Sequence, residues 1–366
     1  IAASESVAPY YYHKAKKGAT STVVSVDIGG GTTDVLIVDK GEPKYLTSFR
    51  FAANTIFGDG YSYDSDSNGF VNKYKDIITN QLETNNLRGL KAVLKSVLDK
   101  RVSTDVIAFL FSLASNKEIK KEKVEINFAK MLADDNRGKY VVILFYVAIV
   151  YHIAQLMKAK GFDMPRHMTF SGNGSKVLNI LSTNDATLVR LTKIIFEEIY
   201  AQSYSIDGLD IIRPANSKES TCKGGIILTP FQSQDYGEIK DMKTILIGTD
   251  NEKFADVHMT YNDVTEADLD SVVDVIKEYI EFTFKLDKKF SFYDNFDVDR
   301  SIMNKVKDLC YRDIRTYLEN GLAIKKSEIA QDGADDNLEE TLFFYPIREI
   351  LCAIGGNNKM LEPEDE

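Results

Sequence analysis

The chain has 366 residues, so it is long enough to bury a large hydrophobic core in two or three domains. Its formal net charge of -10 argues against a binding surface for nucleic acids or anionic membranes. The three cysteines and four histidines are scattered, which argues against disulfides and a zinc site, and we expect the protein in the reducing cytoplasm.

The sequence opens with Ile1-Ala2-Ala3-Ser4, which contains neither an initiator methionine nor a signal-peptide pattern. We therefore expect a chain that lacks its N-terminal part. Residues 5–12 follow, and in isolation this stretch is typical of a helix start that leads into a polar connector.

The most informative stretch lies between residues 23 and 38, where two apolar β-branched runs flank a glycine-rich bend. The bend consists of Gly29, Gly30, Gly31, Thr32 and Thr33. Glycines let phosphate oxygens approach the main chain, and successive N–H groups form a nest for negative charge. Asp27, at the end of the first strand, suits a magnesium-bound water or an attacking water. The alternative is an ordinary hairpin, although hairpins need only two turn residues and each glycine costs roughly 1 kcal/mol of backbone freedom.

The segment Asp27-Ile28-Gly29-Gly30-Gly31-Thr32-Thr33-Asp34 closely resembles a motif of one ATPase superfamily. The motif is the second phosphate motif of actin, the DnaK-type chaperones, FtsA, ParM and the sugar kinases. The resemblance implies an α/β fold with a mixed sheet, namely a ribonuclease H-like ATPase lobe with a helical insertion. It also implies ATP or ADP and Mg²⁺ as cofactors.

The resemblance further implies roles for individual residues. The three glycines, with Thr32 and Thr33, would hold the β and γ phosphates, and Asp27 would orient water or magnesium-bound water. Glu5 matches the acidic residue of the first connecting motif, which lies near the attacking water, although Pro9 departs from the family's small residues. The family's first phosphate hairpin has no counterpart here, and we expect it upstream of Ile1.

After the bend, Lys44 to Ala52 predicts a third strand, which would complete an antiparallel meander. Residues 57–62 partly resemble the G-G-x-x-F-D element of the chaperones, which faces the nucleotide. Gly58 is therefore a further candidate for nucleotide contact, with a plain loop as the equal alternative.

Residues 56–160 are predicted to form a helical insertion subdomain. Asn68 can cap a first amphipathic helix, and two more follow. Lys117 to Phe128 indicates an exposed strand or a charged loop. The apolar run from Tyr140 to Ala154 is short for a membrane span, which needs about twenty residues, so we expect a buried helix and no transmembrane segment.

A second glycine turn follows the strand that starts at His167 and comprises Gly172, Asn173, Gly174 and Ser175. Alone, it is a common loop between a strand and a helix, although a helix N-terminus can bind anions or ribose. Because it follows the glycine-rich bend along the chain, it resembles the adenosine motif of the same superfamily. The resemblance implies that these four residues line the adenosine. Asn173 replaces a glycine, and asparagine tolerates positive φ.

The rest of the nucleotide-binding lobe, assigned to residues 1–55 and 161–230, includes a helix from Asp185 to Tyr200. Residues 218–227 have the spacing of the second connecting motif. Residues 231–366 form a predicted α-rich C-terminal extension, with a capping box at Thr265 and a helix that Gly321 ends.

The leading functional hypothesis is a protein that binds and hydrolyses ATP, with half of the site in this chain. One alternative is an FtsA-like or ParM-like scaffold whose assembly depends on nucleotide, with self-association or a protein partner. Another is a sugar-kinase-like phosphotransferase. Nucleic acid is not an expected partner.

Overall fold

The computed structural model describes residues 22–57, 65–66, 68–204, 208–214, 223, 226, 240–241, 260–332, 338 and 341–355. Six strands form one sheet in this part of the chain. They are β1 (Val23–Ile28), β2 (Thr33–Asp39), β3 (Glu42–Phe49), β4 (His167–Ser171), β5 (Asp210–Ile212) and the two-residue β6 (Lys240–Asp241).

The strand order across the sheet is β5-β4-β1-β2-β3-β6. Strands β1, β2 and β3 form the antiparallel meander, while β4 runs parallel to β1 and β5 runs parallel to β4. Strand β6 is parallel to β3. The expectation of an α/β fold with a mixed sheet is confirmed.

Strand β1 lies at the centre of the sheet, and its side chains are buried on both faces. This explains its nearly continuous β-branched sequence, since a strand covered on both faces has no solvent side for polar residues. The pairing of β1 with β2 places Ile28 opposite Thr33, so the four residues between them form the connecting loop.

Helices surround the sheet and account for most of the remaining described residues. Those before β4 are α1 (Ala53–Ile56), α2 (Gly69–Thr84), α3 (Arg88–Asp99), α4 (Ser103–Ser112), α5 (Lys117–Lys121), α6 (Phe128–Ala133) and α7 (Asn136–Ala159). Those after β4 are α8 (Asp185–Tyr200), α9 (Glu266–Phe290), α10 (Phe292–Phe296), α11 (Arg300–Asp332) and α12 (Phe344–Gly355). Short 3₁₀ helices span Leu113–Ser115 and Gly174–Ile180.

The helix α7 is the central helix of the core. Its residues from Gly138 to Ala154 are all buried, because sheet and helices cover it on every side. The helix is long and apolar enough to cross a membrane, and 94% of its most apolar 18-residue window is buried within the protein. The predicted buried helix is therefore present, with Asp135 capping its N-terminus.

The described part of the C-terminal region packs directly against the sheet and α7. The ring of Phe344, at the start of α12, stacks on Phe49 and on Phe51 with centroid distances of 4.5 Å in both cases. Tyr279 of α9 donates a hydrogen bond of 2.6 Å to the carbonyl oxygen of Leu144 in α7. These contacts join the C-terminal helices to the same hydrophobic core as the sheet.

Two local predictions differ from the structure. The charged loop predicted for residues 117–128 spans only residues 122–127. Residues 117–121 form the helix α5, because Asn116 accepts hydrogen bonds from the N–H groups of Glu118 and Ile119 and so caps a helix. The helix from residue 300 continues through Gly321 to Asp332. A glycine inside a helix costs only about 1 kcal/mol, and the burial of Leu322 beyond it offsets that cost.

Candidate functional site

The loop between β1 and β2 is a tight turn with an exposed outer face. The N–H group of Gly29 donates a hydrogen bond of 2.9 Å to the carbonyl oxygen of Thr32, which closes the turn. Gly30, Gly31 and Thr32 are exposed. A Cβ atom added to Gly31 would have no other atom within 4 Å, so the space beside this residue is open.

The second glycine turn packs against this loop, backbone to backbone. A Cβ atom on Gly172 would overlap the carbonyl oxygen of Ile28 and the carboxylate of Asp27. A Cβ atom on Gly174 would overlap the carbonyl oxygen of Gly29. The fold thus brings together two turns that are far apart in the sequence, and only glycine permits this approach.

The conformation of the second turn differs from the expectation. Gly172 carries the positive φ of 81°, whereas Asn173 has φ −68° and is exposed. Asparagine therefore replaces glycine without backbone strain. The helix that follows is the 3₁₀ helix Gly174–Ile180. Ser175 is buried, and its hydroxyl donates a hydrogen bond of 2.8 Å to the carbonyl oxygen of Gly172.

Asp27 lies at the junction of the two turns. Its side chain accepts a hydrogen bond of 3.2 Å from the hydroxyl of Ser171, the last residue of β4. The residue is half-buried and pairs with Asp34 across β1 and β2. Among the described residues no group of three or more acidic, histidine or cysteine side chains is arranged to hold a metal ion. A single carboxylate fits Mg²⁺ at a phosphate site, because phosphate oxygens and water complete its coordination.

The two threonines of the loop differ in burial. Thr33 is fully buried, and its hydroxyl donates a hydrogen bond of 2.7 Å to the carbonyl oxygen of Phe51. Thr32 is exposed at the end of the loop. The Thr33 side chain therefore anchors the hairpin to the chain that follows β3, while Thr32 remains on the open side.

The short helix α1 also contacts the loop, which the sequence reasoning missed. The N–H groups of Ala53 and Asn54 donate hydrogen bonds of 3.3 Å and 2.9 Å to the carbonyl oxygens of Gly29 and Gly30. No local pattern marks these residues, because the contact depends on how the chain after β3 folds back over the hairpin.

Several predicted residues lie outside the described part of the chain. These are Glu5, Gly58 and most of residues 218–227, the stretch with the spacing of the second connecting motif. Of the predicted site residues, the described ones all belong to the two adjoining turns or to the strand end between them.

Comparison with known proteins gives likenesses to solved structures. No family model matches the chain, and no curated protein matches it. A solved crystal structure, that of (R)-2-hydroxyglutaryl-CoA dehydratase component A from Acidaminococcus fermentans, matches with 13% sequence identity and a TM-score of 0.24. The match covers 61% of this chain and 66% of that one, slightly less than two thirds of its length. At this TM-score the likeness carries no argument about function.

Proposed function

We propose that this chain forms half of an ATP-binding site of the actin and DnaK type, within a ribonuclease H-like lobe, and that the protein hydrolyses ATP. The observation that carries the proposal is the backbone contact between the two glycine turns beside Asp27. Strand order alone brings the two turns to one edge of the sheet, but it does not require glycines that pack backbone to backbone. Each turn also has at least one exposed residue at its outer face.

The phosphate tail would lie along the exposed residues Gly30, Gly31 and Thr32. Main-chain N–H groups without a Cβ between them and the ligand can donate to phosphate oxygens, and the Thr32 hydroxyl adds a further donor. The Thr33 hydroxyl already donates a hydrogen bond to the carbonyl oxygen of Phe51. Thr33 would therefore contribute through its backbone and by fixing the hairpin.

The adenosine would lie beside the second turn, next to the exposed Asn173. Gly172 and Gly174 bring this turn onto the end of β1 and so set the distance between the two halves of the ligand. Ser175 would act indirectly, because its hydroxyl holds the turn through the carbonyl oxygen of Gly172.

Asp27 would orient the attacking water. The hydroxyl of Ser171 donates to this carboxylate at 3.2 Å, at the point where the two turns meet. When bound, a Mg²⁺ ion supplies neutralisation of phosphate charge, and Asp27 is the residue that would hold it or its water. Phosphoryl transfer depends on positioning and charge neutralisation more than on covalent catalysis, so this small set of groups is sufficient once the site is complete.

The test is ATP hydrolysis by the protein at its full natural length, measured as phosphate release. We expect Asp27→Ala to lower the turnover number by about a hundredfold or more. The control is Asp308→Ala, since Asp308 is an exposed carboxylate on α11 outside the site, and this variant should keep full activity. Undiminished hydrolysis by Asp27→Ala would remove the catalytic assignment, and no ATP binding by the unsubstituted protein would remove the proposed function.

A further inference from the structure

Asn54 lies directly beside the loop proposed to hold the phosphates. Its backbone N–H donates to the carbonyl oxygen of Gly30 at 2.9 Å, so the residue is fixed to the loop through its main chain. Both its side-chain nitrogen and its side-chain oxygen lie 3.4 Å from the position that a Cβ atom on Gly30 would occupy. The carboxamide is therefore placed against the exposed glycine.

The Asn54 side chain has no evident structural task. Within the described part of the chain its carboxamide makes no hydrogen bond, and the residue is partly exposed. Its neighbours in the same helix, Ala53, Thr55 and Ile56, are buried. Anchoring of the loop requires only the backbone N–H, which any residue except proline would supply.

We propose that Asn54 is a further ligand of the phosphate tail of a nucleoside triphosphate, through donation from its carboxamide N–H groups to phosphate oxygens beside Gly30. This inference rests on the proposed function. A carboxamide suits the position because it offers two N–H donors without a charge. Hydrogen bonds to charged groups are stronger than neutral ones, so one such contact contributes measurably to affinity.

The inference is tested by titrating the natural full-length protein with ATP, ADP and AMP. Asn54→Ala removes the donors, and Asn54→Asp keeps the shape but places a negative charge beside the phosphates. We expect Asn54→Ala to weaken ATP binding roughly tenfold while AMP binding changes less than about twofold. Asn54→Asp should weaken ATP binding further, and ATP more than ADP, because like charges repel.

A matched control separates this effect from a general change of charge. Asn304 is exposed on α11, and Asn304→Asp should leave the affinities for all three nucleotides unchanged. Unfolding by urea shows whether each Asn54 variant retains the stability of the unsubstituted protein, as we expect for a partly exposed side chain.

The possible outcomes are distinct. A selective loss of ATP affinity over AMP affinity supports the assignment. Unchanged ATP affinity in both Asn54 variants, or an equal loss for ATP and AMP, would overturn it and leave the proposed function intact. Failure of the unsubstituted protein to bind ATP would overturn both.

Discussion

A Cβ atom on Gly174 would overlap the carbonyl oxygen of Gly29, so these two residues touch through their backbones alone. The contact joins the turn between β1 and β2 to the turn after β4. Since β1 and β4 are parallel neighbours, both turns emerge at the same edge of the sheet. The proximity of the two turns is thus a consequence of strand order, and the glycines make it close enough to form one surface.

The close approach predicts a large stability cost for side chains at the second turn. We expect Gly172→Ala to lower the free energy of unfolding by about 2–4 kcal/mol. The alanine would have to adopt a positive φ of 81°, and its Cβ atom would overlap the carbonyl oxygen of Ile28. Urea denaturation measures the change. Gly31→Ala is the matched control, since its Cβ would enter open space; an equal loss in both variants would contradict the geometry.

The two adjacent threonines should separate stability from ligand binding. Thr33→Val removes a buried hydroxyl and leaves the carbonyl oxygen of Phe51 without this donor, so the free energy of unfolding should fall by about 1–3 kcal/mol. Thr32→Val changes an exposed side chain and should leave stability within about 0.5 kcal/mol. Thr32→Val should instead weaken ATP binding several-fold, because it removes a hydroxyl donor to the phosphates, as isothermal titration calorimetry would show. The reverse pattern would assign the ligand contact to Thr33.

The burial of His152 should make the stability of the protein depend on pH. The residue is buried in α7 among the rings of Phe49, Phe343 and Phe344, and burial lowers its pKa to about 4. The unfolded chain binds a proton near pH 6.5, whereas the folded chain does so only near pH 4. The free energy of unfolding should therefore decrease as the pH falls from 6.5 to 4, on the order of 3 kcal/mol in total from this residue.

Comparison with His152→Phe isolates this contribution from that of the carboxylates, which also titrate in acid. The variant adds a fourth phenylalanine ring to those of Phe49, Phe343 and Phe344, and this side chain cannot bind a proton. Urea unfolding at several pH values between 4 and 6.5 should give a shallower pH dependence for the variant than for the unsubstituted protein. Identical slopes would mean that His152 does not bind its proton in the way its burial implies.

Phe344 should be essential for the packing of the C-terminal helices against the sheet. Its ring stacks on both Phe49 and Phe51, so Phe344→Ala removes two stacked contacts and leaves a cavity in the core. We expect a loss of about 3–5 kcal/mol in the free energy of unfolding. Phe344→Leu, which retains most of the volume, should cost less. A loss below about 1 kcal/mol for Phe344→Ala would indicate that the C-terminal helices are not part of the main folding unit.

Much of the local structure was predictable because it depends on neighbours in the sequence. The β-branched runs on each side of the glycines specify two strands and a turn. Asn68 caps α2 and Thr265 forms a capping box with Asp268, as their spacing indicates. The helix α8 has the predicted bounds, because its apolar residues recur with helical period.

The features that sequence reasoning missed depend on tertiary contacts. Strand β2 is buried on both faces, so the alternation of polar and apolar residues that would orient Thr33 is absent. The contact of α1 with Gly29 and Gly30 arises from the path of the chain after β3, which no short pattern encodes. The helix α11 passes through Gly321 because burial further along the helix outweighs a local preference.

The most direct test of the central claim is the affinity of the natural full-length protein for ATP after Gly31→Val, in which the side chain enters the open space beside the loop. Gly89→Ala in α3 is the control, since it adds a methyl group far from both turns in the sequence and inside a helix. Calorimetric titration should show an ATP affinity that is at least about tenfold weaker for Gly31→Val and unchanged for Gly89→Ala. The free energy of unfolding of Gly31→Val should remain that of the unsubstituted protein. Equal ATP affinity for Gly31→Val and the unsubstituted protein would contradict the claim that this loop holds a nucleotide's phosphates.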